Sequence, residues 1–218
     1  MIRFDKVTKR YNQGRDALRN VSFDIDSGEL IFLTGHSGAG KSTLLKLITL
    51  IERPTHGQVL VEGRNIGRLP RQRIPAHRRQ IGMVFQDHKL LKDRTVFENI
   101  ALPMVIANYA QREIRGRVRA ALDYVGLQNK ETHTPAMLST GEQQRIGIAR
   151  AIVARPKLLI ADEPTGNLDP QLSLDIMNLF RRFNEVGVTM LIATHDLGLI
   201  EQLGGRLIVL ENGEIKAD

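Results

Sequence analysis

Cysteine is absent from this 218-residue chain, and so is tryptophan. Without a thiol there is no disulfide staple, no thiolate metal ligand and no cysteine nucleophile, and the absence fits a reducing compartment. Aromatic residues make up only 5%. Long apolar runs are missing too. The longest nearly apolar stretch, Ala101–Ala107, is broken by Pro103, and a membrane span needs about 20 such residues. The opening Met1-Ile2-Arg3-Phe4-Asp5-Lys6 lacks the apolar core of a signal peptide. The expectation is a protein kept in the cytosol, reaching a membrane only through a partner.

Acidic residues are missing from Gly63 to Gln86, a segment that carries Arg64, Arg68, Arg71, Arg73, Arg78 and Arg79. The chain as a whole has a net charge of +7. Such a balance asks for a partner of opposite sign: nucleic acid, an anionic membrane face or nucleotide phosphates. The arginine segment reads either as a solvated face or as a surface turned to anionic lipid headgroups. Aromatics are not interleaved with it, so a stacking platform for single strands is excluded and no nucleic-acid partner is expected.

What is present is an alternation of strands and helices. Ile2–Val7, Val21–Ile25 and Val59–Val61 alternate or are β-branched, with Gly14, Gly28, Gly57 and Gly63 between them, as short strands with turns require. Leu30–Thr34, Leu158–Ala161 and Met190–Ala193 are continuous apolar runs, the pattern of strands buried on both faces. A helix is predicted from Lys41 to about Ile51, stopped by Pro54. Another spans Gln111–Val125, with Ile114, Val118, Ala121, Leu122 and Val125 on one stripe. Asp169 caps a third that has Pro170 in its first turn and ends near Gly187. These features predict one α/β domain over 1–218, with a mainly parallel core sheet in 1–86 and 138–218, and a helical subdomain in 87–137.

The strongest chemical signal is Gly35-His36-Ser37-Gly38-Ala39-Gly40-Lys41-Ser42. It fits Gly-x₄-Gly-Lys-Ser/Thr, a phosphate loop. Glycines let successive backbone N–H groups approach phosphate oxygens, and the helix behind them aims its positive end at the same anion. Lys41 supplies a full charge to the β- and γ-phosphates, the Ser42 hydroxyl ligates Mg²⁺, and Thr43 assists at the α-phosphate. A chance match in a chain of this length is on the order of one per cent, and a buried strand before the loop with an amphipathic helix after it lowers that further. ATP with Mg²⁺ is the expected ligand.

The apolar run Leu158–Ala161 ends in Asp162 and Glu163. Adjacent carboxylates at the end of a buried strand are costly unless a cation or a proton transfer uses them. Asp162 suits the outer sphere of Mg²⁺ beside Ser42, and Glu163 suits a general base that polarises the attacking water. His195 follows the strand Met190–Thr194, at the edge where open α/β sheets bind ligands. Gln86 ends the strand-like run Ile81–Phe85, where its amide can reach Mg²⁺ or the water.

Together these residues resemble the nucleotide-binding subunit of an ABC ATPase, in the family's order and over essentially the whole chain. Tyr11 stands where the family places a ring against adenine, Gln86 at the Q-loop, His195 at the switch histidine and Asn167-Leu168-Asp169 at the D-loop. Leu138-Ser139-Thr140-Gly141-Glu142-Gln143-Gln144-Arg145 matches the signature beginning Leu-Ser-Gly-Gly, with Thr140 in place of a glycine. Taken alone that segment is a capped helix. The resemblance implies a fold with an antiparallel β subdomain and a homodimer with ATP at its interface. There, Ser139, Gly141, Glu142 and Asp169 of one protomer would face the ATP of the other. The phosphate-loop segment, the run from Ile81 to Val96 and Asp162–Asp169 are similar to the cell-division branch of the family. That branch implies the division machinery, the cytoplasmic face of the bacterial inner membrane, and an integral membrane partner resembling FtsX that regulates peptidoglycan hydrolases. Other readings of the same motifs are the ATPase of a lipoprotein-release or macrolide-export transporter, an ABC-type ATPase acting on DNA, and an ATP-dependent recruitment scaffold with little turnover.

Overall fold

The computed structural model describes residues 1–11, 14 and 16–218. Two sheets carry the chain. The first half gives β1 (Ile2–Arg10), β2 (Asp16–Ile25), β3 (Leu30–Thr34), α1 (Lys41–Ile48), β4 (His56–Val61) and β5 (Arg64–Asn65). Then come α2 (Ile74–Arg78), β6 (Ile81–Val84), α3 (Val96–Ile106), α4 (Gln111–Tyr124) and α5 (Thr140–Ile152). The chain finishes with β7 (Leu158–Asp162), α6 (Pro170–Glu185), β8 (Thr189–Ala193), α7 (Leu197–Leu203), β9 (Arg206–Glu211) and β10 (Glu214–Ala217).

The core sheet has the order β10-β9-β3-β8-β7-β6, parallel except for β10. The other sheet is antiparallel, in the order β2-β1-β4-β5. The inner parallel strands β3, β7 and β8 are mostly apolar because each of their faces is covered. Phe32, Leu159, Ala161 and Ile192 point into a cluster with α3–α7. Their neighbours Ile31, Leu33, Ile160 and Leu191 point into a second cluster with α1 and the antiparallel sheet. This side-to-side alternation of period two places both sheets and the helices around one core strand, β3. Between β6 and β7 the chain is helical, and α3 carries a full capping box at Thr95 and Glu98. Among the described residues no helix is long and apolar enough to cross a membrane.

One local expectation is corrected. The helix α1 ends at Ile48 rather than near Ile51, because Leu50 turns left-handed (φ 54°). The freed carbonyls have partners from far along the chain. His77 Nε2 donates to Ile48 O at 2.7 Å, and the Arg78 guanidinium donates to Thr49 O and Leu50 O at 3.0 and 2.9 Å. The run Ala101–Ala107 lies mostly within α3 with Pro103 inside the helix. Ala101 and Met104 are buried, while Val105 and Ile106 remain exposed.

Candidate active site

The central strand β3 delivers Gly35–Gly40 at the C-terminal edge of the sheet, and α1 starts directly behind it. Two positions there require glycine. Gly35 has φ 150°, and a Cβ on it would overlap the Leu210 carbonyl oxygen. Gly40, at φ 115°, would bring a Cβ to 2.6 Å from the Ala17 carbonyl oxygen. The first turn of α1 has neither an acidic side chain nor a side-chain cap, so its N–H groups are open to an anion. His36 turns Nδ1–H to the Ser37 carbonyl at 2.8 Å.

Gly35–Thr43, Gln86, Asp162, Glu163 and His195 line one cavity of about 600 Å³. Four separate stretches of chain thus meet at one sheet edge, as ligands of open parallel sheets require. Lys41 is nearly buried; its Nζ donates to Gly35 O at 2.6 Å and lies 3.8 Å from Glu163 Oε1. Glu163 has the left-handed backbone value φ 47°, uncommon for a residue with a side chain. Its N–H donates to Ala193 O of β8 at 2.9 Å. His195 Nδ1–H donates to Glu163 Oε2 at 2.9 Å, which leaves Nε2 for another partner. Gln86 reaches over the turn after Glu163, where a Cβ on Gly166 would meet Gln86 Nε2 at 3.3 Å.

Burial pushes the Asp162 carboxyl above its ordinary range; the hydrogen bond from Ser42 pulls it down, the Glu163 charge adds to the rise, and Lys41 and Lys46 oppose it. A cation beside Ser42 and Asp162 would compensate the same burial. No cluster of three or more His, Asp or Glu suited to a metal exists among the described residues. One hydroxyl, one carboxylate and one amide at a phosphate loop are nevertheless the donor set that suits Mg²⁺, which takes few protein ligands and completes its shell with waters and substrate phosphates.

Other expected site residues lie outside this cavity. The Tyr11 hydroxyl is 3.5 Å from Thr43 Oγ1, and Lys9 Nζ sits 5.0 Å from the Tyr11 ring centroid. Ser139 N-caps α5, accepting from Glu142 N–H at 3.3 Å, while Glu142 Oε2 accepts from Ser139 N–H at 2.9 Å. Lys130 holds the other carboxylate oxygen of Glu142 at 3.1 Å, so this side chain is engaged within its own protomer. Gly141 is buried against Leu172. Asp169 N-caps α6 through Leu172 N–H at 3.0 Å. The helix α5 begins at Thr140, directly after its cap.

Two residues that the sequence reading passed over fasten the site from α5. Gln144, 1% exposed, donates from Nε2 to Pro164 O at 2.6 Å. Arg150 donates to the carbonyls of His88 and Lys89, just after Gln86, at 2.5 and 2.7 Å. A buried glutamine and a half-buried arginine on an amphipathic helix leave no local signal of this role.

Comparison with known proteins agrees with this geometry. The family model described as ABC transporter matches residues 18–166. The cell division ATP-binding protein FtsE of Escherichia coli K12 is 56% identical over 215 residues, covering 99% of this chain and 97% of that protein. FtsE of Haemophilus influenzae is 52% identical, covering 99% of this chain and all of the relative. FtsE of Mycobacterium tuberculosis is 44% identical over the whole of this chain and 95% of the relative. A solved dimeric ATP-binding cassette in a post-hydrolysis state, bound to ADP and Pi, superposes with a TM-score of 0.91 at 36% identity, covering 99% of this chain and 97% of that one. The chain belongs to the ABC transporter family and is one of its ATP-binding, ATP-hydrolysing subunits.

Proposed function

We propose that this chain is the ATPase subunit of a bacterial cell-division complex, an FtsE-type cassette that works as a homodimer on a membrane partner resembling FtsX. The cell-division role rests on the identity to FtsE over nearly the full length. The chemistry rests on one observation: Glu163, held by His195 at 2.9 Å and 3.8 Å from Lys41, stands at the phosphate-loop cavity.

ATP lies with its phosphates on Gly35–Thr43 and its adenine toward Tyr11. Ser42 and Gln86, with Asp162 through water, would hold Mg²⁺, which would supply charge neutralisation at the β- and γ-phosphates. Glu163 accepts the proton of the attacking water and His195 orients Glu163, while Lys41 and the α1 N-terminus stabilise charge on the transferring phosphoryl group. Ser139, Gly141, Glu142 and Asp169 of the opposite protomer close on the γ-phosphate, Glu142 by holding the capping box in place. Loss of that phosphate favours the open dimer, a population shift driven by differential binding.

The segment 87–137 transmits this change. A groove of about 1040 Å³ beside it, lined by Ala76, Arg79, Met83, Pro103, Ile106 and Tyr109, offers the membrane partner a seat. The exposed Arg68, Arg71, Arg73 and Arg79 lie along the segment that enters this groove, on the side turned to the cytoplasmic face of the inner membrane.

Glu163→Gln tests the base assignment. Turnover should fall by about 10²–10⁴ while ATP binding persists and an ATP-bound dimer accumulates in size-exclusion chromatography. Wild-type turnover would remove Glu163 from the chemistry. Ser139→Arg should bind ATP as a monomer without hydrolysing it; ATP-dependent dimers of that variant would end the two-protomer site. A detergent pull-down that recovers a substrate-carrying permease instead of a division protein would redirect the role to export.

A further inference from the structure

Glu163 has the left-handed φ 47°, so its pose is not one the backbone takes by default. Something must hold it. On one side its N–H is fixed to Ala193 O. On the other side the chain is held one residue further on by Gln144, whose Nε2 lies 2.6 Å from Pro164 O. Both Gln144 and Pro164 are buried. A carbonyl can only accept, so the amide must present its NH₂ there, and its orientation is decided. The consequence is an oddity. Gln144 Oε1 is buried with no hydrogen-bond partner, an arrangement that folded proteins generally avoid. Packing alone gives no reason for an amide at this spot; the donor to Pro164 does.

We propose that Gln144 is a positioning residue for the general base: by gripping Pro164 O it sets the backbone of Glu163 and aims its carboxylate at the water site. The location of Gln144 gives this grip a second meaning. It lies five residues into α5, whose N-cap is Ser139, roughly 7.5 Å along the axis at 1.5 Å per residue. A rigid helix that closes on the γ-phosphate of the opposite protomer therefore carries the Pro164 clamp of its own protomer with it. Engagement of α5 in one site adjusts the base in the other. This consequence rests on the reading that Ser139 and Gly141 act across the dimer; the clamp itself does not.

The test uses the purified full chain in four forms besides wild type: Gln144→Met, Gln144→Ala, Glu163→Gln and the double Gln144→Met/Glu163→Gln. Methionine nearly conserves volume and removes the amide, whose oxygen has no partner and whose nitrogen makes the bond to Pro164 O, and alanine extends the series. Turnover with Mg-ATP, KM, affinity for a fluorescent ATP analogue and melting temperature are measured for each. Misplacement of a reacting group by about 1 Å is worth up to about 10²-fold in rate. Gln144→Met should lower kcat about 10- to 100-fold, with KM and nucleotide affinity within twofold of wild type. In the Glu163→Gln background the same substitution should lower the residual rate no further, because there is no base left to aim. A wild-type kcat in Gln144→Met overturns the proposal. So does an equal loss in the Glu163→Gln background, or a parallel loss of nucleotide affinity, each of which marks a purely structural residue. Glu163→Gln alone reports on the base assignment, so failure of that reading and failure of the clamp are separate results.

Discussion

Gly40 and Gly38 lie two residues apart in the phosphate loop, and both have positive φ, 115° and 80°. Alanine at the two positions should nevertheless behave differently. At Gly38 a Cβ meets nothing within 4 Å. The substitution pays only for the left-handed backbone, about 1–2 kcal/mol. At Gly40 the new Cβ would stand 2.6 Å from Ala17 O and 2.9 Å from Leu18 Cδ2. Ala17 and Leu18 belong to β2, so the loop touches the antiparallel sheet at this point. That overlap adds an overpacking cost of about 1–3 kcal/mol. In a domain of this size each kcal/mol moves the melting temperature by about 2–4 °C. Gly40→Ala should therefore melt about 2–12 °C below Gly38→Ala. Scanning calorimetry without nucleotide isolates this difference from any phosphate contact, and ATP binding is measured afterwards. Equal melting temperatures, or a lower one for Gly38→Ala, would refute the claim that close approach to β2 fixes Gly40.

Two further perturbations separate chemistry from stability. His195 is largely exposed, and its hydrogen bond reaches the partly shielded Glu163; His195→Ala should lower kcat by about tenfold, the rate equivalent of about 1.4 kcal/mol, and leave the melting temperature within about a degree. A melting temperature that drops with kcat would reassign His195 to structure. Asn99 is fully buried and satisfies the loop after Gln86, accepting from Leu91 N–H and donating to the carbonyls of Leu91 and Thr95 at 2.8, 3.0 and 2.9 Å. Asn99→Ala leaves the Leu91 N–H without that partner and should destabilise the fold by about 1–3 kcal/mol, with faster amide exchange over residues 91–95. Unchanged exchange there would show that the loop is anchored elsewhere.

The contrast between what the sequence disclosed and what it withheld follows the range of the interactions involved. The strand Leu30–Thr34 is legible because both of its faces are buried, and every residue says so. Asp169 before Pro170 announces α6, and the cap forms as expected. These signals are local. The end of α1 is not legible locally, because Pro54 looks like the stop, whereas the carbonyls of Ile48–Leu50 are taken by His77 and Arg78, some 28 residues away. The strand order β9-β3-β8-β7-β6 depends on crossovers that no single strand encodes.

The same division runs through the site. The anion-binding half, Gly35–Thr43 with α1 behind it, is contiguous, and its spacing alone discloses it. The pose of Glu163 is assembled from Ala193 on β8, His195 after it and Gln144 on α5, two stretches of chain that meet it only in the folded protein. A motif therefore reports which groups are available for the chemistry, while their orientation depends on distant partners. A variant can keep every residue of the phosphate loop and both carboxylates and still hydrolyse slowly, provided the change falls on one of those partners. In this chain α5 holds two of the connections, Gln144 to the carbonyl of Pro164 and Arg150 to the segment after Gln86. With Glu163 read as the base, a tilt of that one helix would move it and the segment after Gln86 together, so the two need not be switched by separate signals.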